Sequence, residues 1–202
     1  DGSSKDPRVN EVLAAFQNAS QVRSWHEERW EEYLQYYMGD QWLENEAGDM
    51  PRTTLNFCFS TIETEIPILT DQRPIFQANG VNDPDLELEE DLNFIFKDLM
   101  MRADFDSKLP GLLRMGAIYG TSFLYPYWDK EADGGLGNVR FKAVPPWYIF
   151  PDPSARGVDG AKRIFYADFM DIEQVRAMYP DKAKEIKPGT PKPLERLYSY
   201  RQ

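Results

Sequence analysis

His26, Cys58, the acidic run from Glu87 to Asp91 and the cluster Gly134-Gly135-Leu136-Gly137 are the residues whose types and spacing could do chemistry. A histidine used as a ligand or proton carrier on a helix needs converging partners three or four positions away. Glu27 and Glu28 are its immediate neighbours and point elsewhere, so His26 reads as a surface residue. Cys58 lies between Phe57 and Phe59, where a small buried hydrophobe is the expected role. Its use as a nucleophile would need an adjacent base that the sequence does not offer. Glu87, Glu89, Glu90 and Asp91 have neither the spacing nor the glycine turn of a calcium loop, and they read as a solvated helix face. The glycine cluster falls between two expected strands, which makes it a hairpin loop and no phosphate cradle. Trp25, Trp30, Trp42, Trp128 and Trp147 raise a different class of chemistry. Aromatics with scattered carboxylates suit a carbohydrate-binding module or a glycosidase. Here they fall at core-facing spacing and no acid pair stands out, so that reading is kept as the alternative. Stacking of exposed nucleic-acid bases is a third option, which the charge of the chain disfavours. No catalytic residue, metal site or cofactor is expected, and the chain reads as non-enzymatic.

The net charge of −11, from 34 acidic and 23 basic residues, opposes a protein that clamps phosphates. Acidity of this kind keeps a domain soluble. Any DNA partner would pass by without being gripped, or be gripped by another part of the protein. With 202 residues, 42% of them apolar and 14% aromatic, the chain can build one sizeable core or two small ones. The lone Cys58 forms no internal disulfide, fitting a reducing compartment. One cysteine and one histidine make a structural zinc site a poor reading. No apolar run approaches the ~18 residues that cross a bilayer, and the chain opens on no signal-peptide pattern. No membrane partner is expected.

Helices come first. Asp6-Pro7 opens a long helix with an apolar stripe of Val12, Leu13, Phe16, Val22, Trp30, Tyr33, Leu34 and Tyr37, ended by Gly39. Thr54 can cap a second helix carrying Leu55, Phe59, Ile62, Ile66 and Leu69, with Pro67 expected to kink it near its end. Arg73–Ala78 reads as a strand. Asp83-Pro84 opens a third helix with a buried stripe of Leu88, Leu92, Ile95, Phe96 and Leu99. Nine acidic and two basic residues between Asp83 and Asp106 give that helix a strongly negative face. A fourth helix carries Leu109, Leu112, Leu113 and Ile118, and the small Gly116, Ala117 and Gly120 allow a close approach. Strands follow at Ser122–Trp128 and Asn138–Val144, flanking a long exposed loop. Further strands are expected at Trp147–Phe150 and Arg163–Phe169, and Asp171 with Gln174 caps a short helix stopped by Pro180. Helices before strands, without alternation, predict an α+β fold.

Six of these pieces carry a family likeness. They are Trp30-x-x-Tyr33 through Gly39-Asp40-Gln41-Trp42; Arg52 through Asn56; Asp71-Gln72-Arg73-Pro74; Gly116 through Tyr125; Val144 through Pro153 with Phe150-Pro151-Asp152-Pro153; and Ile172–Pro180. In this order and at this separation they resemble the N-terminal, wing-forming part of tailed-bacteriophage portal proteins, the head-to-tail connector. Asp71-Gln72 departs from the Asn more usual at that position of the family.

The resemblance implies a wing-like α+β fold of long N-terminal helices followed by a small, mostly antiparallel sheet. It implies a flexible lead-in over 1–7, a wing-like domain over 8–186 (helical over 8–120, β-rich over 121–186) and a linker over 187–202. That linker would lead toward a stem and clip, and the chain is expected to be a fragment of a longer protein. The implied function is structural: a subunit of a closed ring, usually of twelve copies, at one capsid vertex, forming the channel for DNA packaging and ejection. Its implied partners are other copies of itself, the major capsid or scaffolding protein, the terminase large subunit, a tail adaptor, and double-stranded DNA passing without sequence-specific binding. The implied location is the virion, after assembly in the host cytoplasm. Trp30, Tyr33, Trp42, Arg73 and Asp152 are the candidate architectural or interface residues. Glu87, Glu90, Asp91 and Asp98 are the candidates for an acidic face toward the channel or a neighbouring subunit.

Overall fold

Asp6 accepts the Arg8 amide at 2.9 Å and Pro7 takes the first helical position, so α1 starts as the sequence dictates and runs Pro7–Met38. The structure, a computed structural model, describes residues 6–42, 53–72, 74–155 and 157–188, with Asp83, Pro84 and Glu87 described by their backbone only. The expectations for 1–5, Arg73 and 189–202 lie outside the described residues.

After α1 come α2 (Phe57–Asp71), α3 (Asp83–Arg102) and α4 (Phe105–Tyr119). Strand β1 (Phe123–Asp129) pairs antiparallel with β2 (Asn138–Val144) around a short turn, α5 (Ala132–Gly135), in which Asp133 and Gly134 take left-handed φ values of 53° and 71°. A second antiparallel pair joins β3 (Ile149–Pro151) and β4 (Ile164–Tyr166), and α6 (Ile172–Met178) follows. The fold is α+β: long N-terminal helices, then small antiparallel sheets.

The chain divides into two compact units, residues 1–31 with 147–202, and residues 32–146. In the first, Phe16 of α1 packs on Phe150 of β3 (ring centroids 4.7 Å apart) and Phe165 of β4 (5.6 Å). Ala19, Trp30, Trp147, Tyr148 and Phe150 are buried there. In the second, Phe105 at the start of α4 sits between Phe76 (6.4 Å) and Phe141 of β2 (5.5 Å). Ile66, Ala103, Tyr119 and Val144 complete that core.

Several expectations need correction. The buried line of α1 runs through Ala19, Arg23, Trp30 and Leu34, while Val12, Leu13, Val22 and Tyr33 face outward. An arginine holds a place that apolar periodicity cannot count. The strand expected over Arg73–Ala78 is absent from its described residues 74–78, and side chains of α3 take backbone groups at the end of this segment. Asn93 accepts the Ala78 amide at 2.8 Å and donates to its carbonyl at 3.1 Å, and Glu89 accepts the Gly80 amide at 2.7 Å. Helix α2 continues past Pro67 to Asp71, and its cap is Asn56, not Thr54. Helix α3 has Asn82 as its cap, with the Asp85 carboxylate accepting from the Asn82 amide at 3.2 Å. Leu88 and Ile95, placed in the buried stripe of α3, are exposed. Cys58 is exposed as well, because the first turn of α2, with Phe57 and Phe59, is not covered. The strand expected over Trp147–Phe150 begins only at Ile149, after a 3-10 turn at Pro146–Tyr148, and the strand expected over Arg163–Phe169 is confined to Ile164–Tyr166.

Candidate assembly surface

Three polar junctions fix the backbone in place. In the first, Arg23 of α1 is 5% exposed. Its Nη1 donates to the carbonyls of Trp147 (2.6 Å) and Ile149 (3.2 Å), and its Nε and Nη2 donate to Glu27 Oε1 (2.9 and 2.5 Å). The guanidinium lies 3.5 Å from the centroid of the Phe150 ring and 6.0 Å from that of Trp30. A flat cation with a fork of donors can serve two carbonyls, a carboxylate and an aromatic face at once, which lysine cannot. Arg23 thereby pins the Trp147–Phe150 segment to α1. The sequence reading missed it; an arginine in register with Phe16, Ala19, Trp30 and Leu34, with Glu27 one turn on, was the available signal.

The second junction joins the end of α1 to α2. Gly39 adopts a left-handed φ of 81° to end α1, and a Cβ there would stand 3.0 Å from Asn56 Nδ2. Asn56 Nδ2 donates to the Tyr37 carbonyl at 2.7 Å, while Asn56 Oδ1 caps α2 by accepting the Phe59 amide at 2.9 Å. Below it, Glu63 accepts from Tyr37 Oη (2.7 Å) and takes a two-pronged bond from Arg114 Nε (2.6 Å) and Nη2 (2.8 Å). The Arg114 bonds, then the Tyr37 bond, hold the Glu63 carboxyl down at about 2. The same carboxylate raises the Arg114 guanidinium above its ordinary value. Burial pushes the Tyr119 phenol up to about 12.

The third junction is the Asp-Pro turn. Asp152 Oδ1 accepts from the Ser154 amide (2.9 Å) and hydroxyl (2.7 Å), bonds that lower the Asp152 carboxyl below its ordinary value. The Asp152 amide donates to the Arg163 carbonyl at 3.1 Å, continuing the β3–β4 pairing.

The other candidates are scattered rather than convergent. Trp30 is buried, with His26 stacked 6.2 Å away; Tyr33 is exposed. Trp42 is 47% exposed, its indole N–H donating to Thr54 Oγ1 at 3.0 Å. Of the acidic candidates, Glu90 and Asp91 are exposed, Asp98 pairs with Arg102 at 2.8 Å, and the Glu87 side chain lies outside the described residues. Asp85 accepts from the cap residue Asn82 and Glu89 from the Gly80 amide ahead of the helix, which leaves Glu90 and Asp91, 100° apart on α3, as the exposed candidates. Among the described residues no group of histidine, cysteine and carboxylate side chains could hold a metal, and no helix is long and apolar enough to cross a membrane. With Trp30 and Trp147 buried, the carbohydrate reading loses two of its stacking platforms and finds no support.

Among the exposed side chains of the second unit are several large apolar ones. Leu86, Leu88, Phe94, Ile95 and Met101 of α3 are 52–73% exposed. At 100° per residue, Leu86, Glu90, Phe94 and Met101 form one line on the helix, and Leu88, Asp91 and Ile95 form the next. Beside them opens a cleft of about 790 Å³, lined by Ile75, Phe76, Phe96, Met100 and Phe105, with Lys97 at its edge.

Polar side chains are thus spent on backbone junctions, while several apolar side chains of α3 are turned outward. The chain belongs to the phage P22-like portal protein family, whose description residues 13–195 match. That family consists of structural proteins of the bacteriophage head-to-tail connector. No curated protein matches the chain.

Proposed function

We propose that this chain is the wing-forming part of a portal ring subunit at a capsid vertex, with residues 8–186 as the wing and 187–202 leading toward stem and clip. The family match over residues 13–195 carries the reading. The subunit acts by geometry: a head-to-tail contact closes into a ring only when its rotation divides the circle. The ring, of about twelve copies on the family's pattern, forms the channel through which DNA is packaged and ejected. Terminase and a tail adaptor dock on it in turn, and capsid or scaffolding protein surrounds it. The exposed Glu90 and Asp91 suit either a channel wall that lets DNA slide, since bound phosphates would hold it back, or a contact with a basic neighbour. Trp30 and Asp152 serve as architectural anchors, and Tyr33, Trp42 and Arg73 as contact or anchoring residues. The test is electron microscopy of the longest natural form of the protein. Particles with a central hole and near-twelvefold symmetry are expected; uniformly small particles without a hole overturn the reading.

A further inference from the structure

Asn79-Gly80 is the single place in the chain where an asparagine is followed by glycine. In such a pair the Gly80 amide nitrogen can attack Asn79 Cγ, because glycine puts no Cβ in the way. The C–N bond that forms closes a succinimide ring. Asn79 Nδ2 leaves as ammonia, taking up the proton that the Gly80 nitrogen gives up. Water then opens the ring at either carbonyl. The product is aspartate or, with the main chain rerouted through the side chain, isoaspartate.

Asn79 is exposed, so water reaches it, while the backbone on both sides of it is held by α3. Before it, Asn93 Oδ1 accepts the Ala78 amide at 2.8 Å and Asn93 Nδ2 donates to the Ala78 carbonyl at 3.1 Å. After it, Oε2 of the half-buried Glu89 accepts the Gly80 amide at 2.7 Å. Packing demands the glycine. A Cβ there would stand 3.1 Å from the Asp85 carbonyl carbon and 3.2 Å from both Leu86 Cδ2 and Glu89 Oε2. The close approach to α3 thus creates a reactive dipeptide, and the same helix sets a carboxylate on the nitrogen that would react.

We propose that Asn79 is a site of spontaneous deamidation, and that the Glu89–Gly80 bond is the lock that keeps the folded chain in the asparagine form. The nitrogen attacks only once its proton has left. A carboxylate 2.7 Å away opposes this twice: it accepts the hydrogen bond of that proton, and its charge disfavours a second anion beside it. The bonds at Ala78 and Gly80 also restrain the turn of the Asn79 backbone that would bring nitrogen and Cγ together. The step has no return to asparagine. Isoaspartate lengthens the main chain by one carbon, and either product adds a carboxylate one residue from the Glu89 bond. Both changes oppose the seating of Gly80 on α3. The site does not depend on the ring reading.

The test follows the full chain in mildly alkaline buffer by mass mapping of the peptide that holds Asn79, with isoaspartate counted by enzymatic methylation. Asn79 is expected to keep its amide at least about tenfold longer in the folded parent than in the same chain held in denaturant. In the folded chain Glu89→Ala is expected to speed the loss about tenfold, the factor carried by about 1.4 kcal/mol and the size of one bond to a charged acceptor. Glu89→Gln, which keeps an acceptor without the charge, should fall between the two. Asn93→Ala frees Ala78 and leaves the Glu89 bond, so it controls for loosening of the segment and should speed the loss less than Glu89→Ala. Unchanged loss in folded Glu89→Ala, or equal acceleration by Asn93→Ala, overturns the lock. Retention of the Asn79 amide in the denatured parent overturns the site.

Discussion

Replacing Arg23 by methionine removes the donors of the first junction while keeping a long side chain against Phe150. Arg23 is 5% exposed, and the residues whose carbonyls it serves, Trp147 and Ile149, lie in or beside the core of their unit. Each buried carbonyl left without its donor costs about 1–3 kcal/mol. Loss of the cation over the Phe150 face costs about 1–2 kcal/mol more, partly offset by the apolar methionine. Glu27 enters differently: its side chain is 28% exposed and can turn to water once the guanidinium is gone. The carbonyls therefore dominate. Arg23→Met should cost about 3–4 kcal/mol, within the range for removing one partner of a buried ionic contact. Glu27→Gln should cost less than about 1 kcal/mol. Arg23→Lys, which keeps the charge and loses the fork, should fall between them at about 2 kcal/mol. Chemical denaturation followed by tryptophan emission gives the ranking. Hydrogen exchange at the β3–β4 amides, including the Ala167 amide that donates to the Tyr148 carbonyl at 2.9 Å, localises it, since the two units need not open together. A loss below 1 kcal/mol for Arg23→Met, or one for Glu27→Gln as large as for Arg23→Met, would refute the reasoning.

Asn56→Ala should cost about 2 kcal/mol in denaturation, one part for the cap and one for the bond to the Tyr37 carbonyl; Asn56→Asp, which keeps only the cap, should cost less, and equal losses would refute the double role. Glu63 has a carboxyl lowered from 4.5 to about 2, so its contribution to stability is complete above about pH 4.5 and is lost as the pH falls toward 2. Over that window Glu63→Gln should show a flatter acid-unfolding curve than the parent, and parallel curves would count against the Arg114 contact. Cys58 is exposed and should react with a thiol reagent in the folded chain with no further gain on adding denaturant; protection until denaturation would restore the buried reading. Trp30→Ala should cost about 3–5 kcal/mol and Trp42→Ala about 1 kcal/mol in the isolated chain, with the reverse order in denaturation contradicting the assignment of burial.

Local signals read well from the sequence where local physics decides the outcome. The Asp6-Pro7 start, the Gly39 stop, the β1–β2 hairpin and the Asp171 cap each depend on neighbours in the chain. The errors arose where a distant group decides. Arg23 went unnoticed because its two carbonyl partners lie more than a hundred positions away. Arg73–Ala78 looked like a strand, but a side chain of α3, Asn93, and not another strand, takes the Ala78 backbone groups. Leu88 and Ile95 looked buried because periodicity says only which side chains share a face, not that anything within the same chain covers it. The Gly39, Asn56 and Asp152 positions of the family likeness have a physical meaning that spacing alone did not reveal: they are the glycine, cap and turn that set the junctions.

The division between polar junctions and exposed apolar side chains suits what the proposed ring would ask of its subunit. A contact that repeats around a circle repeats any angular error as well, so each unit must hold its shape before assembly. Apolar packing can slide at small cost, whereas a forked guanidinium on two carbonyls, or an asparagine that both caps one helix and ties down the end of another, has direction as well as strength. Buried polar groups of this kind add less net stability than apolar side chains of the same volume would, and a role in specifying geometry is the reading that fits their placement at Arg23 and Asn56. The apolar side chains of α3 sit at the opposite extreme. They are half or more exposed in the isolated chain, and in the proposed ring their burial against a neighbour would make stability rise with subunit concentration. A subunit organised this way should have sharply defined units at low concentration and gain most of its resistance to unfolding on assembly.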